Sequence, residues 1–200
     1  MPSYSNLNPL QLDALKEVAN IGAGNSATSL SVLFSQKIDM AVPNVDIIEF
    51  DKLLDSYGEE EVVAVLVKVI GDISGSVLYV FEKSVAFNII EKLTGSRKDY
   101  IDEMGESVIG EIGNIIASSF MNAIAEFIKV EAIASVPAIA NDMISAVLIS
   151  TFIEVGQHEE YILDIQTRFI GSENSKITGH FYYIPSPGGL EKILKSLGID

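Results

Sequence analysis

The chain contains the stretch DALKEVANIGAGNSATSLSVLFSQKIDMAVP at residues 13–43, and a related stretch, SVIGEIGNIIASSFMNAIAEFIKVEAIASVP, occupies residues 107–137. Each stretch opens on a polar residue and then carries a glutamate, an asparagine and a proline at the same places, 94 positions apart: Asp13, Glu17, Asn20 and Pro43, and Ser107, Glu111, Asn114 and Pro137. Self-similarity at a fixed period is the signature of an internal duplication. We therefore predict one domain over residues 1–200 made of two repeats, at about 8–95 and 102–198.

A second motif extends the duplication toward the C-terminus at a different spacing. The residues Ile73-Ser74-Gly75 reappear as Ile177-Thr178-Gly179, 104 positions further along. The increase from 94 to 104 indicates about ten extra residues in the second repeat, between residues 141 and 174. Surface loops tolerate insertions of this size at little thermodynamic cost.

The hydropathy pattern predicts the same order of elements in each repeat. Asn8 is a good helix cap and Pro9 suits the first helical position, so we expect the first helix to begin there. Its counterpart is expected at about 102–117, and second helices are expected at about 26–35 and 119–128. Extended segments run through the two prolines. Hairpins and closing helices follow at 62–70 with 76–81 and 84–94, and at 161–170 with 178–184 and 189–197. This order favours an α+β fold, an internally duplicated pseudo-twofold domain with helices packed on an antiparallel sheet.

The repeated polar residues fall on one face of the first helix of each repeat. Residues at i, i+4 and i+7 form a narrow stripe, so Asp13, Glu17 and Asn20 share a face, as do their counterparts. Aliphatic side chains occupy the opposite face, which predicts that both stripes face solvent. A lone triad would be interpreted as ordinary solvated helix residues. Because asparagine is a poor helix former, its repetition on two exposed faces suggests a use.

Composition excludes several classes of chemistry. The chain has 28 acidic and 13 basic residues, a formal net charge of -15, no cysteine and two histidines. The lack of cysteine excludes disulfide scaffolds, thiolate metal sites and cysteine nucleophiles, and so few histidines argue against an imidazole metal site. The sequence shows no basic stripe that would bind nucleic acid or an anionic membrane. Neither a signal peptide nor a membrane span is apparent in the sequence, so we expect a cytoplasmic protein without a cofactor of its own.

Residues 22–27, GAGNSA, match the dinucleotide-binding pattern G-x-G-x-x-A. A genuine site of this kind follows a strand and opens a helix. Here the preceding residues have helical periodicity, and the second repeat has Ile116 and Ser118 in place of the two glycines. We therefore expect these glycines to let two helices turn closely instead of binding a nucleotide.

The full spaced pattern resembles the CheC family of chemotaxis phosphatases, which is related to CheX and FliY. The pattern is Asp or Ser, three residues, Glu, two residues, Asn, twenty-two residues and Pro, and it occurs twice. The run EVANIGAGN at residues 17–25 is particularly similar to CheC. The resemblance covers essentially the whole chain in order, neither copy departs from the pattern, and the chain is most similar to the stand-alone CheC.

The resemblance implies hydrolysis of the phosphoaspartate of a CheY-type response regulator. Glu17 and Glu111 would dock against a lysine of the regulator, and Asn20 and Asn114 would hold the attacking water. Supporting contacts and turns would come from the remaining motif residues, Asp13, Ser107, Pro43 and Pro137. The regulator would bring its own Mg²⁺, which fits the lack of metal-ligand motifs in this chain.

The resemblance also implies a second partner, the receptor deamidase CheD. An alternative interpretation is therefore a non-catalytic adaptor that holds CheD or a receiver domain. Intact polar triads in both repeats favour catalysis, because a scaffold would not need the asparagines. We expect a monomer, since the closure of two repeats within one chain removes one reason to dimerise.

Overall fold

The computed structural model describes residues 8–57, 59–154, 161–171 and 176–196. The elements of the first repeat are α1 (Pro9–Leu33), β1 (Ile38–Met40), β2 (Asn44–Glu49), α2 (Phe50–Ser56), β3 (Glu61–Gly71), β4 (Gly75–Glu82) and α3 (Lys83–Thr94). Those of the second are α4 (Glu103–Ile128), β5 (Ala132–Ala134), β6 (Ala138–Met143), α5 (Ile144–Glu154), β7 (Tyr161–Gly171), β8 (Lys176–Pro185) and α6 (Gly189–Ser196). The same order of elements therefore occurs twice. The expected end of the second repeat, residues 197–198, lies outside the described residues.

The eight strands of the described residues form one sheet, in the order β1-β7-β8-β4-β3-β5, with β2 also on β7 and β6 also on β3. Every pairing is antiparallel. The predicted α+β class, with helices on an antiparallel sheet, is confirmed.

The two repeats exchange strands within this sheet. The first two strands of the first repeat, β1 and β2, pair with β7 of the second. In the same way β5 and β6 pair with β3 of the first repeat, and β4 pairs with β8 at the centre. Each repeat therefore completes the sheet of the other.

The sheet carries a core on each face because successive side chains of a strand point to opposite sides. Tyr79 and Phe81 of β4 belong to the larger core, which α1 and α4 cover by packing on each other and on the sheet. Leu78 and Val80 of the same strand belong to a smaller core on the other face, under α2 and α5. The sheet thus separates α1 and α4 from α2 and α5.

The spacing of the repeated elements locates the insertion. Helices α1 and α4, strands β1 and β5, and strands β2 and β6 begin 94 residues apart, whereas β3 and β7 begin 100 residues apart. Six of the extra residues therefore lie between the start of α5 and the start of β7, and the remaining shift arises beyond Gly171.

The predicted break in the first helix of each repeat is wrong. Helix α1 runs through Gly22 and Gly24 without interruption, and α4 likewise continues to Ile128. A Cβ atom on Gly22 would lie 2.7 Å from Cδ1 of Phe120 on α4, closer than side chains pack. The glycine therefore serves close packing between two helices and makes no turn, because the lost helix propensity is offset by helix contact.

Helices α2 and α5 were not expected from the sequence. Helix α2 has only seven residues and is held by Phe50 and Leu53, which are buried against the sheet. Helix α5 lies in a predominantly apolar stretch, residues 136–155, whose pattern does not separate strand from helix. Both helices follow a strand directly, so tertiary packing decides where the strand ends.

One helix of the described residues, α4, is long and apolar enough to cross a membrane. Most of its apolar window is buried inside the protein, against α1 and the sheet. A buried core helix passes the same test of length and composition, so the apolar character of α4 is explained by the fold.

Candidate active site on helices α1 and α4

Helix α1 presents the first polar stripe. Its start is set by a capping box: the Asn8 side chain accepts from the Gln11 backbone N–H at 3.0 Å, and the Gln11 side chain accepts from the Asn8 N–H at 2.9 Å. One face of the helix is buried, including Leu15 and Val18. Asp13 and Glu17 are exposed and Asn20 is half-buried on the other side: the stripe opens to solvent at Asp13 and Glu17 and closes at Asn20.

Helix α4 presents the second stripe in the same way. Asp102 caps it, accepting from the Gly105 backbone N–H at 3.0 Å, and Ile109, Ile112 and Ile116 are buried in the main core. The motif residues lie on the open side, where Ser107 and Glu111 are exposed and Asn114 is half-buried. The two stripes thus have the same graded exposure.

The two glutamates have no competing partners. Within the described part of the chain, neither Glu17 nor Glu111 forms a side-chain hydrogen bond or an ion pair. An exposed carboxylate that is not already paired can meet an external cation without breaking an internal bond. Each stripe therefore offers an anionic docking group one helical turn before an amide.

The two asparagine amides differ in their surroundings. The Asn20 Oδ1 atom is buried and has no hydrogen-bond partner among the described residues. The Asn114 Oδ1 atom accepts a long hydrogen bond, 3.4 Å, from the Ser118 hydroxyl one turn later. The first repeat has Gly24 at the place of Ser118, so it has no side chain that could do the same. The sequence pattern did not single out Ser118 as a site residue, although its i+4 spacing from Asn114 could have done so.

The two motif prolines lie at corresponding places, each immediately before a strand. Pro43 immediately precedes β2 and is buried, and Pro137 immediately precedes β6 and is half-buried. A Cβ atom on Gly110 would lie 3.9 Å from Pro137 Cγ, so this ring packs beside the residue that precedes Glu111. Proline fits the start of a strand because it has no N–H to donate to the ladder. The structure therefore brings the ring of Pro137 to α4, beside Gly110.

The glycine pattern at residues 22–27 lies in the middle of α1, and no strand precedes it. A phosphate-binding loop requires the strand, turn and helix order, so this segment does not form one. Among the described residues, no group of three or more histidine, aspartate or glutamate side chains is placed to hold a metal ion.

Some known proteins share this fold, and some are similar in sequence. The structure superposes on the FliY crystal structure from Thermotoga maritima with a TM-score of 0.77, at 20% identity, over 96% of this chain and 98% of that one. The chain therefore has the same fold as this FliY structure. Residues 10–47 match the CheC-like family, and residues 63–147 match the chemotaxis phosphatase CheX.

The sequence relatives narrow the class to one family. The chain is 32% identical to the CheY-P phosphatase CheC of Bacillus subtilis (strain 168) over 99% of both chains. It is also 38% identical to the flagellar motor switch phosphatase FliY of the same organism, over 48% of this chain and 25% of that protein. The chain belongs to the CheC family and matches the stand-alone CheC along its whole length.

Proposed function

We propose that this chain hydrolyses the phosphoaspartate of a phosphorylated CheY-type response regulator, with one active site on α1 and one on α4. Membership of the CheC family supports the reaction. One observation carries the assignment of the sites. Two corresponding helices each present an exposed glutamate, without an ion-pair partner among the described residues, one turn before a half-buried asparagine. A reaction that occurs twice on one molecule accounts for the duplicated polar stripe.

The reaction transfers a phosphoryl group from an aspartyl carboxylate to water. The water oxygen attacks phosphorus opposite the carboxylate, the P–O bond to the carboxylate breaks, and the carboxylate leaves with the electron pair. The proton of the water passes to the released inorganic phosphate. Such transfers depend mainly on placing the nucleophile in line. The amide of Asn20 or Asn114 does this by accepting from the water and donating to it.

The glutamates place each amide over the phosphoryl group. Glu17 or Glu111 binds the ammonium of a lysine in the regulator's active site, as a charge-assisted hydrogen bond. Residues three apart on a helix have Cβ atoms about 5–6 Å from each other, which matches the spacing of neighbouring groups in a compact active site. The Mg²⁺ belongs to the regulator, and the supporting motif residues are Asp13, Ser107, Pro43 and Pro137.

The test is the lifetime of the acyl phosphate on the cognate regulator. Wild type is expected to shorten this lifetime. Asn20→Ala and Asn114→Ala each keep one site and are expected to retain part of the activity. The double variant is expected to hydrolyse the acyl phosphate about 10²-fold more slowly than wild type. Asn88→Ala is the matched control, because Asn88 is an exposed asparagine on α3, a helix that carries neither stripe. No effect of wild type on the lifetime contradicts the enzymatic proposal, and full activity in the double variant contradicts the assignment of the asparagines.

A second proposed partner is the receptor deamidase CheD. Ile149 and Ile153 of α5 are 43% and 72% exposed, and α5 lies on the sheet face remote from α1 and α4. A protein docked there would leave both stripes open. Ile153→Asp is expected to weaken CheD binding and to leave acyl-phosphate hydrolysis unchanged. The double variant Glu17→Ala with Glu111→Ala is expected to lose hydrolysis and to keep CheD binding. Intact taxis in the glutamate double variant and lost taxis in Ile153→Asp would favour the adaptor alternative.

The chain is further proposed to act as a cytoplasmic monomer. The sheet of the described residues is completed by strands of one chain, so no second copy is required to pair β3 or β7. Light scattering at micromolar concentration is expected to give the mass of one chain, 21.6 kDa.

A further inference from the structure

The face of the sheet opposite α1 and α4 carries a cavity of about 350 Å³. This volume lies at the lower end of the range for small-molecule sites, roughly 300–1,000 Å³. The cavity lies between strands β4, β7 and β8 and the segment that follows α2. Its walls combine aliphatic and polar side chains, among them Val62, Val80, Ile144, Gln166, Arg168 and His180.

A buried polar network supports one wall of the cavity. Asp164 is 3% exposed and accepts from His180 Nδ1 at 3.3 Å. Tyr57 packs edge-on against the His180 ring, and its hydroxyl is hydrogen-bonded to that of Tyr182. Burial raises the pKa of Tyr57, so its hydroxyl stays protonated. A buried carboxylate is costly unless it is hydrogen-bonded, and here the bond also orients the imidazole at the cavity wall.

The corresponding positions of the first repeat, on β3, carry apolar residues in place of these polar groups. Ala64 and Leu66 of β3 correspond to Asp164 and Gln166 of β7, 100 positions apart, and Leu78 pairs with Leu66 as His180 pairs with Gln166. The corresponding cavity is apolar around these residues and holds only about 90 Å³. The fold therefore forms without polar groups at this place, and only the second repeat carries them there.

The two cavities also differ in how their charged residues are paired. Glu154 lines the small cavity and forms an ion pair of 2.6 Å with Lys68. Arg168 and Glu60 occupy the corresponding places at the large cavity, yet neither side chain forms an ion pair within the described residues. A cation and a carboxylate that line one cavity without meeting can each bind the opposite charge of a ligand.

We propose that the large cavity binds a small zwitterion, an aliphatic α-amino acid, with its carboxylate on Arg168 and its ammonium on Glu60. The guanidinium forms bidentate hydrogen bonds with a carboxylate, and His180 borders the same wall. Val62, Val80 and Ile144 contact the aliphatic side chain. This site is separate from the phosphatase stripes, since the sheet lies between them, and it stands whether or not the stripes hydrolyse an acyl phosphate.

The test is a titration of the full chain with L-leucine, followed by two-dimensional amide NMR and calorimetry. Saturable binding is expected, with shifts at Gln166, Thr178 and His180 and none along the stripes. N-acetyl-L-leucine and L-leucinamide each lack one charge and are expected to bind at least about tenfold more weakly, as are Arg168→Gln and Glu60→Gln with L-leucine.

Lys68→Gln is the matched control, because Lys68 of β3 is the counterpart of Arg168 and pairs with Glu154 of the small cavity. This variant is expected to bind L-leucine like wild type. Thermal unfolding of all three variants separates lost binding from lost folding. The proposal is overturned if L-leucine does not saturate the wild type at millimolar concentration. It is equally overturned if the single-charge analogues bind as well as L-leucine, or if a folded Arg168→Gln binds like wild type.

Discussion

At the scale of single residues, the two asparagines occupy places where a helix gains nothing from them. An asparagine in a helix interior costs roughly 0.5 kcal/mol relative to alanine. Asn20 also leaves its Oδ1 buried without a partner among the described residues, which adds the cost of an unmade hydrogen bond. An amide that is unsatisfied in the free protein can gain its hydrogen bonds when the regulator delivers a water molecule. In the proposed complex, these hydrogen bonds would recover the cost that the free protein carries.

Ser118 makes the surroundings of the two asparagines unequal. Its hydroxyl donates to Asn114 Oδ1 and so orients the amide, whereas Gly24 offers Asn20 nothing. With Asn20→Ala as background, Ser118→Ala is expected to slow the second site several-fold, because a loosely held amide positions water less well. With Asn114→Ala as background, Gly24→Ser is expected to accelerate the first site. The measurement is regulator dephosphorylation at saturating regulator, and equal rates for the Ser118 variant and its parent would show that the hydroxyl does not orient the amide.

The ionised carboxylate of Asp102 makes the stability of the start of α4 depend on pH. Its hydrogen bond to the Lys98 ammonium, and then that from the Gly105 N–H, lower the pKa of its carboxyl below the ordinary 3.8. A lowered folded pKa means that the stabilisation is present above pH 3.8 and is lost as the pH falls through the folded value.

Asp102→Asn is therefore expected to be less stable than wild type at pH 7, with a difference that shrinks below pH 3.8. Urea denaturation from pH 7 to pH 2 measures this difference. A difference that stays constant across that range would contradict the role of the charge.

At the scale of elements, the long helices are specified by their packing as much as by their caps. Helix α1 contains two glycines in its interior and still runs for 25 residues. Gly22 lies against Phe120 of α4, whereas a Cβ atom on Gly24 would meet nothing within 4 Å. One glycine is thus required for helix contact and the other is not required by packing.

This contrast makes a matched pair of substitutions. Gly22→Ala is expected to destabilise the protein by about 1–3 kcal/mol, because a Cβ 3.0 Å from the Phe120 Cα atom cannot be relieved by turning a side chain. Gly24→Ala is expected to stabilise it by about 0.5–1 kcal/mol through helix propensity alone. Urea denaturation of both variants provides the free energies of unfolding. A stabilising Gly22→Ala would show that α1 and α4 can separate without cost.

At the scale of the whole molecule, strand exchange ties the two repeats together. The longest strands, β3 and β7, have 11 residues each, and each pairs along one edge with the first two strands of the other repeat. Neither repeat keeps a complete sheet if the other is removed. We therefore propose that residues 1–200 form one domain whose repeats are not independent folding units.

The expected consequence is a single cooperative unfolding transition. Differential scanning calorimetry should give equal calorimetric and van't Hoff enthalpies, as two-state unfolding requires. A destabilising change in one repeat, such as Gly22→Ala, should lower the midpoint of the whole transition. Two resolved transitions, or a stable fragment of residues 1–97, would contradict the one-domain proposal.

The sequence by itself determined the duplication, the α+β class, the capped start of α1 and the polar stripe on one face of α1 and of α4, whereas the half-burial of Asn20 and Asn114 came from the structure. The features that the sequence determined depend on local spacing: helical periodicity, caps and β-branched runs act over a few residues and recur in both copies. The same spacing carried the resemblance to the CheC family, which the relatives confirm.

Only the tertiary structure decided the strand exchange, the continuity of α1 through Gly22, and the existence of α2 and α5. It also decided the difference between Asn20 and Asn114, and the open pair of Arg168 and Glu60 beside a cavity. The physical reason is common to all of these. Each depends on which residues from distant parts of the chain come into contact, as Phe120 does with Gly22, and no local propensity encodes that contact.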